Sequence, residues 1–353
     1  VWAPYWALDA AAATLADQAD AIDQLSPFWF TATGVDQIVV DPNAPVDEAE
    51  ALVDAARAEG IAVVASVVDG TERGRMAAIL ADPDRRARHV ETLMDFATDR
   101  DLAGVDLDYE KFAFEDGRDS WATTRPAWVA FVGELAARLH ADGRTLTVSI
   151  PPVFDGGFTD DSGYWVYDYA AITPLVDSIR VMAYDYRNAA SEPGPVAPLE
   201  WVERVIAGTA AASGDPSKLV LGVPLYGYNW PTSVAGECPE ELNEGVTTVT
   251  NRTVDALAAR RDGTPVYDPL LGEWSFTYEL TLDDAATSCT QQREVHYVDA
   301  DGAQQRMQLA VDAGFAGVAL FALGYDDPSV WGAVATVEAG MTPSTAAVEA
   351  STP

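Results

Sequence analysis

Residues 102–112 read LAGVDLDYEKF, with Asp106, Asp108 and Glu110 on alternate positions and Val105, Leu107 and Tyr109 between them. Period-two alternation is the pattern of a β-strand, so the three carboxylates share one face at spacings of roughly 6 to 7 Å. Ionised acids in such a row repel one another, and stability alone does not produce the arrangement. Two kinds of chemistry use it: proton transfer by a positioned carboxyl, and coordination of a hard cation by clustered oxygens.

The elements that hold this row follow from the rest of the chain. Short β-rich runs occur at Trp2–Ala7, Ser26–Thr31, Ile61–Val67, Ala103–Asp108, Thr145–Ile150, Ser178–Tyr184, Leu219–Pro224 and Gly317–Phe321. Segments of helical period separate them, at 45–60, 82–101, 123–143, 198–214 and from Asp299 onward. Eight strands alternating with helices imply a parallel sheet with right-handed crossovers, and the count predicts an α/β fold closed as a (β/α)8 TIM barrel.

The rhythm breaks between Trp230 and about Asp299, where VTTVTNRTVDALAARRDGTPVYD, EWSFTYEL and REVHYVD read as strand, helix and antiparallel strands. The expected organisation is a barrel over 1–229 and 300–340, a small α+β insertion over 230–299 between the seventh and eighth strands, and a tail or linker over 341–353. That tail, MTPSTAAVEASTP, is rich in Pro, Ser and Thr and has no apolar periodicity. Cys238 and Cys289 both fall in the insertion, and a single disulfide is expected there if the protein is exported.

Composition narrows the function. With 48% hydrophobic residues and ten Trp the chain can bury a large core, and no apolar run reaches the roughly 18 residues of a membrane span. Lys plus Arg number 21 against 56 Asp plus Glu, a net charge of −35 that repels nucleic acid and anionic lipid and leaves a neutral substrate as the simplest expectation. The chain opens at Val1 with no charged and apolar leader, so a signal peptide has been removed or was never present; a secreted monomer is expected.

In a barrel the site lies at the C-terminal ends of the strands, which places Asp106 and Asp108 inward and Glu110 at the mouth. A solvated acidic face would need an exposed strand, unlike a barrel strand under helices. A hard cation would want more oxygen ligands, and no other acidic or histidine cluster clearly joins the row, so no metal and no cofactor are expected. His89, His140 and His296 are scattered without ligand spacing. Tyr5, Trp6, Trp29, Tyr226, Tyr228 and Trp230, near strand ends, are candidate sugar-stacking rings; Trp128 and Trp331 sit on helical patterns and read as core.

The segment resembles the DxxDxDxE motif of glycoside hydrolase family 18, the chitinases and their relatives, with Ala103 in place of the first Asp. MAYDY (182–186), GVPLYGY (222–228) and the insertion after the seventh strand are similar to that family as well, while SPFW (26–29) and GPVAPLEWV (194–202) resemble a bacterial branch near the spore-germination hydrolases. The resemblance implies retaining cleavage of β-1,4 bonds next to N-acetylglucosamine, with the substrate's acetamido oxygen as nucleophile, on chitin oligomers or peptidoglycan fragments. It implies Glu110 as the acid, Asp108 holding the acetamido nitrogen, Asp106 sharing a proton with Asp108, and Tyr184 donating to the acetamido carbonyl. Asp185 would contact the sugar, Met182 and Ser66 match positions lining the pocket and the surroundings of Asp106, and Phe321 in ALFALG replaces a floor Trp. Ser66-Val67-Val68-Asp69 stands where relatives have Ser-x-Gly-Gly. The alternative is a lectin that binds such sugars without cleaving them; relatives of that kind usually lose the glutamate, which is present here.

Overall fold

The computed structural model describes residues 1–154 and 163–340, so the expected tail at 341–353 lies outside the described residues. Strand β1 (Trp2–Pro4) pairs in parallel with β2 (Gln24–Phe28), and a hairpin of β3 (Phe30–Gly34) and β4 (Gln37–Val40) follows. Next comes β5 (Ala62–Asp69), parallel to β2 and β3, followed by β6 (Gly104–Asp108), β7 (Thr145–Ile150), β8 (Ser178–Val181) and β9 (Leu219–Pro224), each parallel to the one before. An antiparallel sheet of β10 (Tyr226–Gly236), β11 (Thr247–Thr250), β12 (Val266–Asp268), β13 (Glu273–Asp283) and β14 (Ser288–Tyr297) intervenes before β15 (Gly317–Phe321) returns beside β9.

The parallel order β1-β2-β5-β6-β7-β8-β9-β15 carries the last strand back to the first. There the Leu323 N–H donates to the Trp2 carbonyl at 2.8 Å, and the sheet is a nearly closed (β/α)8 barrel. Its strands are buried on both faces, as parallel strands under helices must be. Every residue of β6 is buried, Val105 and Leu107 in the apolar core and Asp106 and Asp108 on the other face. The helices seat themselves by local chemistry: that over Pro83–Asp99 starts with Pro at its first position, and the Asp82 carboxylate caps it by accepting from the N–H groups of Asp84 and Arg85.

Three strand ends differ from expectation. β1 stops at Pro4 because Tyr5–Ala7 wind into a 3-10 turn. β8 stops at Val181, where the Ala183 N–H turns back onto the Val181 carbonyl. Trp29 separates β2 from the β3–β4 hairpin, an excursion the sequence pattern did not suggest.

The inserted sheet runs β11-β10-β14-β13-β12 and starts at Tyr226, before the Trp230 at which the sequence rhythm changes. It has its own core, built around Val249, Val254, Phe276, Leu280 and Val295, and Cys238 is disulfide-bonded to Cys289. A buried ion pair fastens it to the barrel. Glu273 accepts from the N–H groups of Val196 and Ala197, and Arg306 donates to the Ala197 and Gly272 carbonyls as well as to Glu273. Among the described residues no helix is long and apolar enough to cross a membrane.

Candidate active site

Register sets the base of the site. Asp106 lies opposite Ser66 of β5, and Ser149 of β7 lies opposite Arg180 of β8, so four inward side chains converge inside the barrel. Ser149 donates to Asp106 Oδ1 at 2.7 Å, while Oδ2 accepts from Ser66 at 2.5 Å, Arg180 at 3.1 Å and the Trp2 indole at 3.3 Å. Asp106 is wholly buried, and a polar group so placed needs hydrogen-bond partners of this kind.

One turn of the alternation higher, Asp108 Oδ1 is buried with no hydrogen-bond partner among the described residues. Burial holds the Asp108 carboxyl well above the usual range, with Glu110 and Asp106 adding repulsion and Arg180 opposing them. Glu110, at the mouth just past β6, is raised to about 7, first by burial and then by the charge of Asp185, while its bond to Asp108 works the other way. Asp106, expected to share a proton with Asp108, accepts from four donors, one on Oδ1 and three on Oδ2, while Asp108 is hydrogen-bonded to Glu110.

Above this pair opens a cavity of about 300 Å³. Its lining includes Asp108, Glu110, Met182, Tyr184, Asp185, Tyr226 and Phe321, together with Trp6, which is half exposed. The Tyr184 ring can lie where it does because Gly222 has no side chain; a Cβ there would sit 3.0 Å from Tyr184 Cε1 and 2.8 Å from the Val181 carbonyl. Burial, followed by the charge of Asp108, raises the Tyr184 phenol well above its ordinary value, so it remains a donor. Asp185 adopts a left-handed φ of 60°, which aspartate tolerates better than most residues, and its Oδ1 accepts from Tyr226 at 2.6 Å and Tyr228 at 2.9 Å. Phe321 packs within ring-contact distance of Trp2, Phe28, Tyr184, Tyr226 and Tyr325, an aromatic floor.

Several aromatic candidates fall elsewhere. Tyr5 lies with Trp6, Ala7, Leu8, Pro45 and Glu48 around a separate cavity, because the 3-10 turn after Pro4 carries it off the strand direction. Trp29 is buried against Phe30 and lines a cavity with Val46, Val53 and Leu102, on the helix side of the sheet. Trp230 is buried and donates to the Asn188 carbonyl. Ala103 is exposed before β6 begins. Among the described residues no group of three or more His, Cys, Asp or Glu is arranged to hold a metal ion.

The family model for glycosyl hydrolases family 18 matches residues 17–326. The chain belongs to that family. Among family relatives, YdhD of Bacillus subtilis (strain 168), assigned as a sporulation-specific glycosylase, is 37% identical over 155 residues, 43% of this chain and 33% of that protein. The cortical fragment-lytic enzyme of Bacillus anthracis is 24% identical over 279 residues, 77% of this chain and 59% of the enzyme. The chain thus spans less than two thirds of either relative. In fold it is similar to the chitinase from Chromobacterium violaceum ATCC 12472, with a TM-score of 0.78 at 22% identity over 96% of this chain and 98% of that one.

Trp2, Phe28, Thr248 and Tyr325 also line the family 18 cavity, and Arg180 and Ser149 support it from below; sequence reasoning had assigned none of them a place there. Arg180 left a signal, a single cation in SIRVMAYDY in phase with Met182 and Tyr184. Tyr325 and Thr248 left none, since loop geometry brings them in.

Proposed function

We propose that the chain is a retaining glycoside hydrolase that cleaves β-1,4 bonds of N-acetylglucosamine-containing glycans, chitin oligomers or peptidoglycan fragments, by substrate-assisted catalysis. The observation that carries this reading is the pairing of a partnerless, buried Asp108 oxygen with a Glu110 carboxyl raised to about 7, in one cavity with the Tyr184 hydroxyl. Glu110 donates its proton to the glycosidic oxygen as the acetamido oxygen of the same sugar bonds to C1 and the C1–O bond breaks. Asp108 accepts the acetamido N–H and offsets the positive charge of the resulting oxazolinium ion. Tyr184 donates to the acetamido oxygen and keeps it aimed at C1. Water, deprotonated by the Glu110 carboxylate, then attacks C1 from the face the leaving group left as the C1–O bond to the acetamido oxygen breaks and the acetamide re-forms, so the two displacements retain configuration. The aromatic floor around Phe321 supports a sugar ring, in keeping with a neutral ligand in a strongly anionic protein.

The test is to incubate the protein and its Glu110→Gln variant with soluble N-acetylglucosamine oligomers and purified cell wall, following products and their initial anomer. The proposal expects a β-anomer from the wild type and none from the variant. Binding without turnover by both proteins would replace the hydrolase with a lectin.

A further inference from the structure

The inserted sheet carries a second hollow, of about 290 Å³, at the edge away from the Glu110 cavity. It is lined by Tyr267 of β12, Trp274 of β13, and Asp301, Gln304 and Gln305 from the first turns of the helix Ala300–Asp312. Tyr267 and Trp274 are cross-strand partners, with ring centroids 5.3 Å apart at 48°. The row runs on from Trp274 to Tyr297 of β14 and Gly227 of β10, three strand spacings or roughly 14 Å in all. Tyr226 and Tyr228, which alternate with Gly227 and line the Glu110 cavity, point to the other face of the sheet, and no residue lines both hollows. We infer that the Tyr267–Trp274 hollow is a second glycan-binding site, one that takes a neutral chain of N-acetylated amino sugars outside the Glu110 cavity. The ligand class rests on the function proposed above, and the site itself rests on geometry.

The rings are fixed in advance. The Trp274 indole donates to Asp299 Oδ2 at 2.8 Å, and Asp299 Oδ1 accepts from the Gly302 N–H at 2.9 Å, which ties the ring to the start of the helix. Gln305 donates to the Tyr267 hydroxyl at 2.7 Å. A ring pair held this way offers a sugar face an apolar seat at little ordering cost. The polar edge around the rings, by contrast, is unspent. Among the described residues the Asp301 carboxylate and the Gln304 amide make no hydrogen bond or ion pair, Gln305 Oε1 accepts none, and the Tyr267 hydroxyl donates none. Such groups match an acetamido substituent in both directions: the Gln304 NH₂ can donate to its carbonyl, and Asp301 or the Gln304 oxygen can accept its N–H. Anionic ligands are disfavoured by Asp301 and by the net charge of −35, and the lining holds no Lys or Arg among the described residues. Trp274 also lines a neighbouring hollow of about 440 Å³ with Tyr297 and Asn251, so the surface continues on the far side of its ring.

The experiment is 19F NMR of the Glu110→Gln protein labelled with 5-fluorotryptophan, titrated with soluble N-acetylglucosamine oligomers. Trp274, identified through Trp274→Phe, reports the second site, and Trp6, identified through Trp6→Phe, reports the Glu110 cavity that it lines. The Trp274 signal is expected to shift saturably, with a midpoint of its own. Replacing both Gln304 and Gln305 by Ala should raise the Kd read at Trp274 about 10-fold, the scale of two lost hydrogen bonds, and leave the midpoint at Trp6 in place. Should that variant not fold, Tyr267→Phe, which removes only a hydroxyl, is expected to weaken binding at Trp274 a few-fold. An unmoved Trp274 signal overturns the inference, as does a shift that follows the Trp6 midpoint and ignores both substitutions, or an equal shift with maltose oligomers, which lack acetamido groups. Turnover is read separately on the wild type. Cleavage with an unmoved Trp274 signal refutes this inference alone, and a Trp274 shift without cleavage supports it while counting against the hydrolase reading.

Discussion

Asp185 and Glu110 line the same cavity, and after burial the negative charge of Asp185 is the largest influence raising the Glu110 carboxyl to about 7. Asp185 is itself held by the hydroxyls of Tyr226 and Tyr228, which lower its proton affinity against the upward pull of burial. Burial leaves the Asp185 carboxyl above its ordinary value, the two tyrosines moderate that rise, and the charge it carries pushes the Glu110 carboxyl up in turn.

Replacing Asp185 by Asn removes that charge while keeping the acceptor oxygen for the tyrosines. The Glu110 carboxyl then falls, so the basic limb of the kcat/KM profile is expected to move to lower pH. An unmoved or raised limb would show that Asp185 does not act on the acid.

The raised Glu110 carboxyl also costs stability. Because the folded state binds this proton more tightly than the unfolded chain, stability declines as pH rises from the ordinary value of 4.5 through about 7, and the cost is complete above that. The total is at most about 3 kcal/mol, less to the extent that water reaches the carboxyl. Glu110→Gln should therefore be more stable than wild type at pH 8, with the difference closing by pH 5; urea melts at both pH values measure it, and a gap independent of pH would refute the linkage.

Phe321 is the centre of the aromatic floor, in ring contact with Trp2, Tyr184 and Tyr226. Phe321→Ala, made in the Glu110→Gln background so that ligand persists, is expected to weaken oligomer binding by about 2 kcal/mol, roughly 30-fold. Phe321→Trp should restore it. Titration calorimetry with a soluble oligomer checks both, and unchanged affinity in the alanine variant would remove Phe321 from the binding surface.

What the sequence disclosed and what it concealed divide along physical lines. The barrel was legible because parallel strands and their covering helices each carry a strong period, and the row Asp106, Asp108, Glu110 was legible because a strand's two faces are written in alternate residues. Position beyond a strand end was not. Tyr5 and Tyr325 sit in loops of similar appearance, yet a 3-10 turn takes Tyr5 away while the chain after β15 brings Tyr325 to the cavity, where it accepts from the Trp6 indole at 2.7 Å. Nor did the sequence reveal how Asp106 is held, because that depends on Ser66, Ser149, Trp2 and Arg180 meeting it from four different strands.

The central claim is that the substrate's acetamido oxygen, held between Asp108 and Tyr184, is the nucleophile. It is tested most directly by the cleavage rates of otherwise identical chitin-oligomer glycosides whose reacting sugar carries N-acetyl, N-fluoroacetyl, N-difluoroacetyl or N-trifluoroacetyl, since fluorine drains electron density from that oxygen. The account predicts a steep, progressive fall in kcat/KM with each fluorine, while binding to Glu110→Gln changes little. Rates indifferent to fluorine would contradict it and move the nucleophile from the substrate to the protein or to water.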